Sequence, residues 1–250
     1  MYDESTIAFY KRNGFAVIPS LFSAEELEEI ERQLESHLRL DLASAPKGDV
    51  IFEADAERSL RCLFRIHERS AYFDQLMRDA RLFQLVQQLF NGAGVIADGT
   101  MLIDKAPLTT YEFPWHQDNA YQFWNPSDAV AVTLALDDST AESGAIVCLA
   151  GSHREKILPH QPSGVFGASR SLVASPNADE YPPVTLSLKR GDVSLHHVNT
   201  IHRTGPNYTP RHRRNLGFAY HSSRSICDNV AADQYKRDLA MFLQQQQTPA

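Results

Sequence analysis

Apolar residues recur at two different spacings along this chain, and the change between them falls near residue 93. Before that point the spacing is helical. Leu27, Ile30, Leu34 and Leu38 recur every three or four positions behind Ser23-Ala24-Glu25-Glu26, a capping-box pattern, so a helix is predicted from about 24 to 40. A second amphipathic helix is predicted near 79–91, with Leu82, Leu85, Val86, Leu89 and Phe90 on its inner face and Gly92 as its stop. Both stripes read as core. From about 95 the pattern changes to short apolar runs separated by Gly, Pro, Asp and Ser. These predict strands over 95–104, 111–117, 129–136, 145–149, 184–188, 192–202 and 213–221. A final helix is expected over about 229–245, running into a frayed glutamine tract, Gln244 to Gln247. The class is mainly β with flanking α-helices: N-terminal helices over about 1–92, a β core over about 93–222 and the C-terminal helix.

Composition narrows this picture. A chain of 250 residues with 43% hydrophobic content can bury a full core and reads as one domain over 1–250, with no linker and no internal repeat. The formal net charge of −7 lacks the basic excess of a nucleic-acid binder, and Arg211-His212-Arg213-Arg214 is too short to count as a basic tract. Cys62, Cys148 and Cys227 are odd in number and widely spaced, so they read as inert thiols in a reducing compartment and not as a disulfide framework. The acidic, polar opening and the lack of an apolar stretch near the ~20 residues a membrane span needs lead to the expectation of a soluble cytoplasmic protein. A monomer or homodimer is expected.

The chemistry concentrates in two places. In Trp115-His116-Gln117-Asp118, an extended backbone would send His116 and Asp118 to the same face with Gln117 opposite. A second imidazole from a distant strand would complete a 2-His-1-carboxylate set, which suits Fe(II) and leaves positions open. His202 is the candidate. It sits in Gly191-Asp192 through His202-Arg203-Thr204-Gly205-Pro206-Asn207, where two turn signals bracket an apolar run and a further run follows from Arg213. This reads as a hairpin carrying His202 and Arg213 on neighbouring strands. H-x-D alone is a weak signal among ten histidines.

Taken together, these stretches resemble the phytanoyl-CoA dioxygenase family of Fe(II)/2-oxoglutarate oxygenases. The resemblance rests on His116-Gln117-Asp118, on Asp137 through Ala145 leading to Gly151-Ser152-His153, on Gly191-Asp192 through Asn207 to Arg213, and on the opening Asn13-Gly14-Phe15-Ala16-Val17-Ile18-Pro19. It implies a double-stranded β-helix (jelly roll) with helices packed outside, and three metal ligands, His116, Asp118 and His202. It also implies Fe(II), 2-oxoglutarate and O2 as the cofactor and cosubstrates, and a hydroxylase acting on a small molecule. Arg213, eleven residues beyond His202, stands where the family carries the arginine for the far carboxylate of 2-oxoglutarate. A guanidinium suits that task, because it stays ionised and offers two parallel hydrogen bonds. Arg214 is its competitor and would face the other way. Thr204 would add a hydroxyl from the same face as His202, and Lys105 stands where the family has a lysine that could meet the cosubstrate.

Other residues carry weaker readings. Tyr121, Phe123 and Trp124 follow the ligands closely and could line a substrate pocket, although aromatics at a strand end are as often core. His196 and His197 read as neighbouring or packing histidines, and His153 as a turn residue. The same site could instead serve desaturation, cyclisation or epimerisation, and two further function classes stand beside the oxygenase: a cupin-like Zn or Mn enzyme with non-redox chemistry, which would not need Arg213, and a jelly-roll binding module, which would be expected to have lost a ligand. The substrate class favoured is a small polar molecule or natural product.

Overall fold

The computed structural model describes residues 4–247 except 47, 54–58, 166, 169 and 178. The N-terminal part comprises α1 (Glu4–Asn13), β1 (Phe15–Ile18), α2 (Ala24–Asp41), β2 (Val50–Phe52), β3 (Leu60–Phe64), α3 (Ala71–Leu76) and α4 (Ala80–Leu89). Then follow β4 (Val95–Lys105), β5 (Phe113–His116), α5 (Asn119–Gln122), β6 (Trp124–Asn125), β7 (Ala129–Ala135) and β8 (Ile146–Leu149). Next come β9 (His160–Pro162), β10 (Arg170–Leu172), β11 (Pro183–Thr185), β12 (Val193–His197) and β13 (His202–Thr204). The chain closes with β14 (Arg213–Ser222), β15 (Ile226–Cys227) and α6 (Asn229–Gln247).

Two sheets build the double-stranded β-helix. The larger runs β1-β12-β7-β14-β4-β3-β2 and the smaller runs β11-β8-β13-β5, with every pairing antiparallel. Alternation gives the larger sheet two unlike faces. One carries Leu63, Leu102, Val132, Leu134, Leu195, Leu216 and Phe218, packed with Leu27, Ile30 and Leu34 of α2, Phe73 of α3 and Leu82, Leu85 and Val86 of α4. Each such fully buried side chain contributes about 1.5–3 kcal/mol of transfer free energy, so this layer is where most of the core stability resides. The opposite face carries small or polar residues, among them Ala131, Thr133, His196, Arg213, Asn215, Gly217 and Ala219, and these border a cavity. Large residues on the helix side and small ones on the other leave a void between the sheets.

Local sequence fixed the main helices. Ser23 caps α2 with the reciprocal capping box to Glu26. At the end of α4 both Asn91 (φ 52°) and Gly92 (φ 80°) take left-handed positions, and the Gly92 N–H closes back to the Gln87 carbonyl at 2.9 Å. The stop is therefore shared by Asn91 and Gly92.

The segment read as helical over 1–92 also supplies three strands, β1, β2 and β3, to the larger sheet. The expected strand over 192–202 is broken in two. The Thr200 N–H donates to the His197 carbonyl at 2.8 Å and the Asn199 N–H to His197 Nδ1 at 3.0 Å, closing a turn that carries the chain from the larger sheet to the smaller. His202 and Arg213 therefore lie on facing sheets and not on neighbouring strands of a hairpin. Among the described residues, no helix is long and apolar enough to cross a membrane.

Candidate active site

β5 is an edge strand, where the missing N–H of Pro114 is tolerated, and it ends at His116. The backbone then turns helical at Asp118 (φ −59°, ψ −37°), which opens α5. His116 and Asp118 converge because the chain bends here, so the extended i, i+2 argument gives the right neighbours for the wrong reason. His202 begins β13 directly opposite His116 in register. The two imidazole centroids are 4.1 Å apart, and their Nε2 atoms lie 3.5 Å (His116) and 3.7 Å (His202) from Asp118 Oδ1. One ligand atom from each of the three lies within 4.8 Å of the others.

The remaining ring nitrogens complete the picture. His116 Nδ1 meets the Pro114 carbonyl at 2.8 Å, and His202 Nδ1 meets the Thr200 carbonyl at 2.9 Å. A carbonyl only accepts, so each Nδ1 carries the proton and each Nε2 presents a lone pair toward Asp118. Burial, with His116 and His196 nearby, pushes His202 well below the ordinary histidine range and so favours the neutral ring that binds metal. Burial works to raise the Asp118 pKa, but its contacts with His202, His116 and His196 outweigh burial and hold it well below the usual carboxylate range. Two neutral imidazoles and one carboxylate form a donor set that fits a divalent iron and leaves half its positions open.

Gln117 points away and braces the site. Its Nε2 donates to the Asn199 carbonyl at 2.9 Å, its Oε1 accepts from the Leu158 N–H at 2.9 Å, and its own N–H meets His160 Nε2 at 3.1 Å. Ser152, from Gly151-Ser152-His153, bonds the Leu149 carbonyl and the Ile201 N–H at 2.8 and 2.9 Å, tying β8 to the segment before His202. His153 contacts the Lys11 carbonyl and lies outside the cluster.

Across the cavity, of about 200 Å³, stands Arg213. It is buried and, among the described residues, makes no ion pair. Its guanidinium is aimed by neutral acceptors: the Gly144 carbonyl at 2.8 Å, the Ser143 carbonyl at 3.5 Å, and Asn215 Oδ1 at 2.8 Å in the amide orientation that satisfies both ends. Burial lowers its pKa, yet a guanidinium remains charged at neutral pH. Thr204, on β13 of the facing sheet, borders the same cavity and is buried with an Oγ1 that has no hydrogen-bond partner. A buried cation without a carboxylate among the described residues and an orphaned hydroxyl bordering the same cavity call for an anionic ligand.

Three sequence expectations need correction. Lys105 is fully buried, but its Nζ turns to the Tyr111 carbonyl at 3.1 Å and packs over the Tyr111 ring, and it lies outside the cavity wall. Burial, then Arg213, pushes its pKa down to about 6. Phe123 packs against Tyr235, and Trp124 stacks on His221 at 4.0 Å, so neither borders the cavity. Tyr121 does border it, but its hydroxyl donates to Asp118 Oδ1. Sequence reasoning missed Asn215 and the Ser143 and Gly144 carbonyls as groups that aim Arg213. The motif around Ser143-Gly144 was visible, but nothing in it indicated which side chain its carbonyls would meet.

Comparison with known proteins decides the family. The model of the phytanoyl-CoA dioxygenase (PhyH) family matches residues 10–215. The chain belongs to the phytanoyl-CoA dioxygenase family. It is an Fe(II)- and 2-oxoglutarate-dependent dioxygenase. It is 29% identical over 222 residues to the "Probable alpha-ketoglutarate-dependent hypophosphite dioxygenase" of Stutzerimonas stutzeri, covering 84% of this chain and 76% of that one. It is 28% identical over 228 residues to the peroxisomal phytanoyl-CoA dioxygenase of Rattus norvegicus, covering 86% and 67%. Its fold matches EctD from S. alaskensis, solved with 2-oxoglutarate and 5-hydroxyectoine, with a TM-score of 0.73 at 23% identity over 88% of this chain and 76% of that one.

Proposed function

We propose that His116, Asp118 and His202 hold the iron, that Arg213 and Thr204 receive the far carboxylate of 2-oxoglutarate, and that the enzyme hydroxylates a C–H bond of a small polar molecule or natural product. The observation that carries this reading is the buried Arg213, without an ion-pair partner among the described residues, facing the His-Asp-His cluster across one cavity. A zinc or manganese enzyme of the cupin type has no use for such a cation, and a binding module that had lost catalysis would have no reason to keep all three ligands.

When bound, iron and 2-oxoglutarate supply oxidative decarboxylation of the cosubstrate coupled to activation of O2. The protein supplies placement. Arg213 offers a planar fork to a carboxylate, and its own approach is fixed by the Gly144 carbonyl and Asn215. Thr204 adds a hydroxyl donor that the fold leaves free. His116 and His202 keep their protons on Nδ1, against backbone carbonyls, so neither ring can turn without losing a hydrogen bond. The apolar wall from Phe64, Met101 and Ile103 limits water around the reacting C–H bond. Asp118 would supply a carboxylate to the iron where a halogenating enzyme would need room for a halide, so halogenation is not expected.

Reaction under labelled O2 across a panel of small polar metabolites and natural products tests this. Succinate formation with one labelled oxygen in the product supports the proposal. Product chlorination when chloride is supplied, or no succinate with any compound, contradicts it.

A further inference from the structure

A third histidine touches the cluster. His196, on β12, lies opposite Ala131 in register, whose small side chain leaves room for the ring. It is buried, its centroid lies 4.2 Å from that of His202, and its Nε2 lies 3.2 Å from Asp118 Oδ2. The two oxygens of Asp118 are thus divided. Oδ1 faces His116, His202 and the Tyr121 hydroxyl, whereas Oδ2 faces His196.

The proton positions separate this histidine from the other two. An ionised carboxylate only accepts, so the contact requires the proton on His196 Nε2. Its Nδ1 then holds a lone pair, and that atom has no hydrogen-bond partner. His116 and His202 have the reverse tautomer, enforced by the Pro114 and Thr200 carbonyls. Two rings therefore present a lone pair to the cluster, and one presents an N–H.

Resting on the ligand assignment above, we infer that His196 is a positioning residue that holds Asp118 Oδ2 away from the metal, so that Asp118 binds through Oδ1 alone. The consequence is a matter of coordination count. Two imidazoles and one carboxylate oxygen leave three octahedral positions, two for 2-oxoglutarate and one for O2. A carboxylate that swung to bind through both oxygens would take one of these. The hydrogen bond to His196 prevents the swing, and the one from Tyr121 steadies the oxygen that remains.

The test uses the full chain loaded anaerobically with Fe(II). His196→Phe keeps the ring shape and removes the donor, while His196→Gln returns an N–H near the Nε2 position. His196→Phe should weaken Fe(II) binding by roughly 10- to 100-fold and shift the visible charge-transfer band of the Fe(II)·2-oxoglutarate complex. His196→Gln should restore both most of the way, and at saturating Fe(II) 2-oxoglutarate should bind more weakly to His196→Phe than to wild type, because a second carboxylate oxygen then competes for its position. An unmoved band and unchanged Fe(II) affinity in His196→Phe overturn the inference, as does a His196→Gln protein that folds but matches His196→Phe. A variant-free measurement covers the case in which His196→Phe does not fold. Nitrogen NMR of histidine-labelled wild type loaded with diamagnetic Zn(II) should show His196 protonated at Nε2, and protonation at Nδ1 overturns it. Wild-type protein that binds no Fe(II) brings down the ligand assignment itself. Wild type with a normal band and an indifferent His196→Phe brings down only the role of His196.

Discussion

Arg213 and Arg214 are consecutive on β14 and leave opposite faces of the larger sheet. Arg213 enters the cavity and meets only neutral acceptors, whereas Arg214 turns outward to a bidentate pair with Asp137, at 2.8 and 2.9 Å, and to Glu31 of α2 at 2.8 Å. One strand thus carries a buried cation with no ion-pair partner among the described residues beside a cation already paired within the fold.

Arg213→Lys should raise the apparent KM for 2-oxoglutarate by roughly tenfold or more, with a much smaller change for the prime substrate, because a point charge replaces a planar fork. Arg214→Lys should leave both unchanged and lower stability by about 0.5–1 kcal/mol, since its partly exposed pairs are screened by solvent. Steady-state kinetics and denaturant unfolding of the two variants check this. The reverse pattern would mean that β14 presents its other face to the cosubstrate.

Gly144 links a sequence motif to that arginine. It sits at φ 74°, and a Cβ there would overlap the Gly205 and Pro206 carbonyls. Gly144→Ala should lower stability by about 1–3 kcal/mol through backbone strain and steric overlap, and should raise the KM for 2-oxoglutarate because the Gly144 carbonyl aims Arg213. A variant with wild-type stability and wild-type KM would show that this turn has no bearing on the cosubstrate site.

What could be read in the sequence was what short-range chemistry decides. The Ser23 capping box, the apolar stripe of α4 and the run from Val95 to Asp104 each depend on residues within a turn or two, and each formed near its expected place. The larger sheet's edge and pairing depend on distant partners. β1 pairs with β12, Phe15 opposite His196, across more than half the chain, so Phe15–Ile18 carried no strand signal of its own length. The candidate site divides along the same line. His116, Asp118 and His202 were legible as residue types at familiar separations, but the contact from His196 to Asp118 spans 78 residues and depends on a break after His197 that the apolar run concealed. Phe123 and Trp124 follow the short helix that opens after Asp118 and pack against Tyr235 and His221, contacts that nothing near them in sequence indicates.

Lys105 gives a pH-dependent test. Its folded pKa, near 6, lies below the unfolded value of about 10.4, chiefly because burial disfavours the charge. The unfolded chain therefore binds more protons between these limits, and stability should rise with pH through that window. The destabilisation is fully present below pH 6 and is relieved as pH approaches 10. Lys105→Met, which keeps the stem and removes the charge, should be more stable than wild type at pH 7, and the gain should shrink toward pH 10. Unfolding free energies measured without cosubstrate at both pH values check this, and a gain that grows with pH contradicts it.

The central claim is that one cavity joins an iron held by His116, Asp118 and His202 to a 2-oxoglutarate held by Arg213. Anaerobic titration of the Fe(II)-loaded protein with 2-oxoglutarate, followed by visible absorption, tests it most directly. The account predicts a metal-to-ligand charge-transfer band that grows with 2-oxoglutarate and saturates in proportion to protein, that is lost in His116→Ala, Asp118→Ala and His202→Ala, and that needs far more 2-oxoglutarate in Arg213→Lys. No band in the wild type, or an undiminished band in any of the three alanine variants, would contradict it.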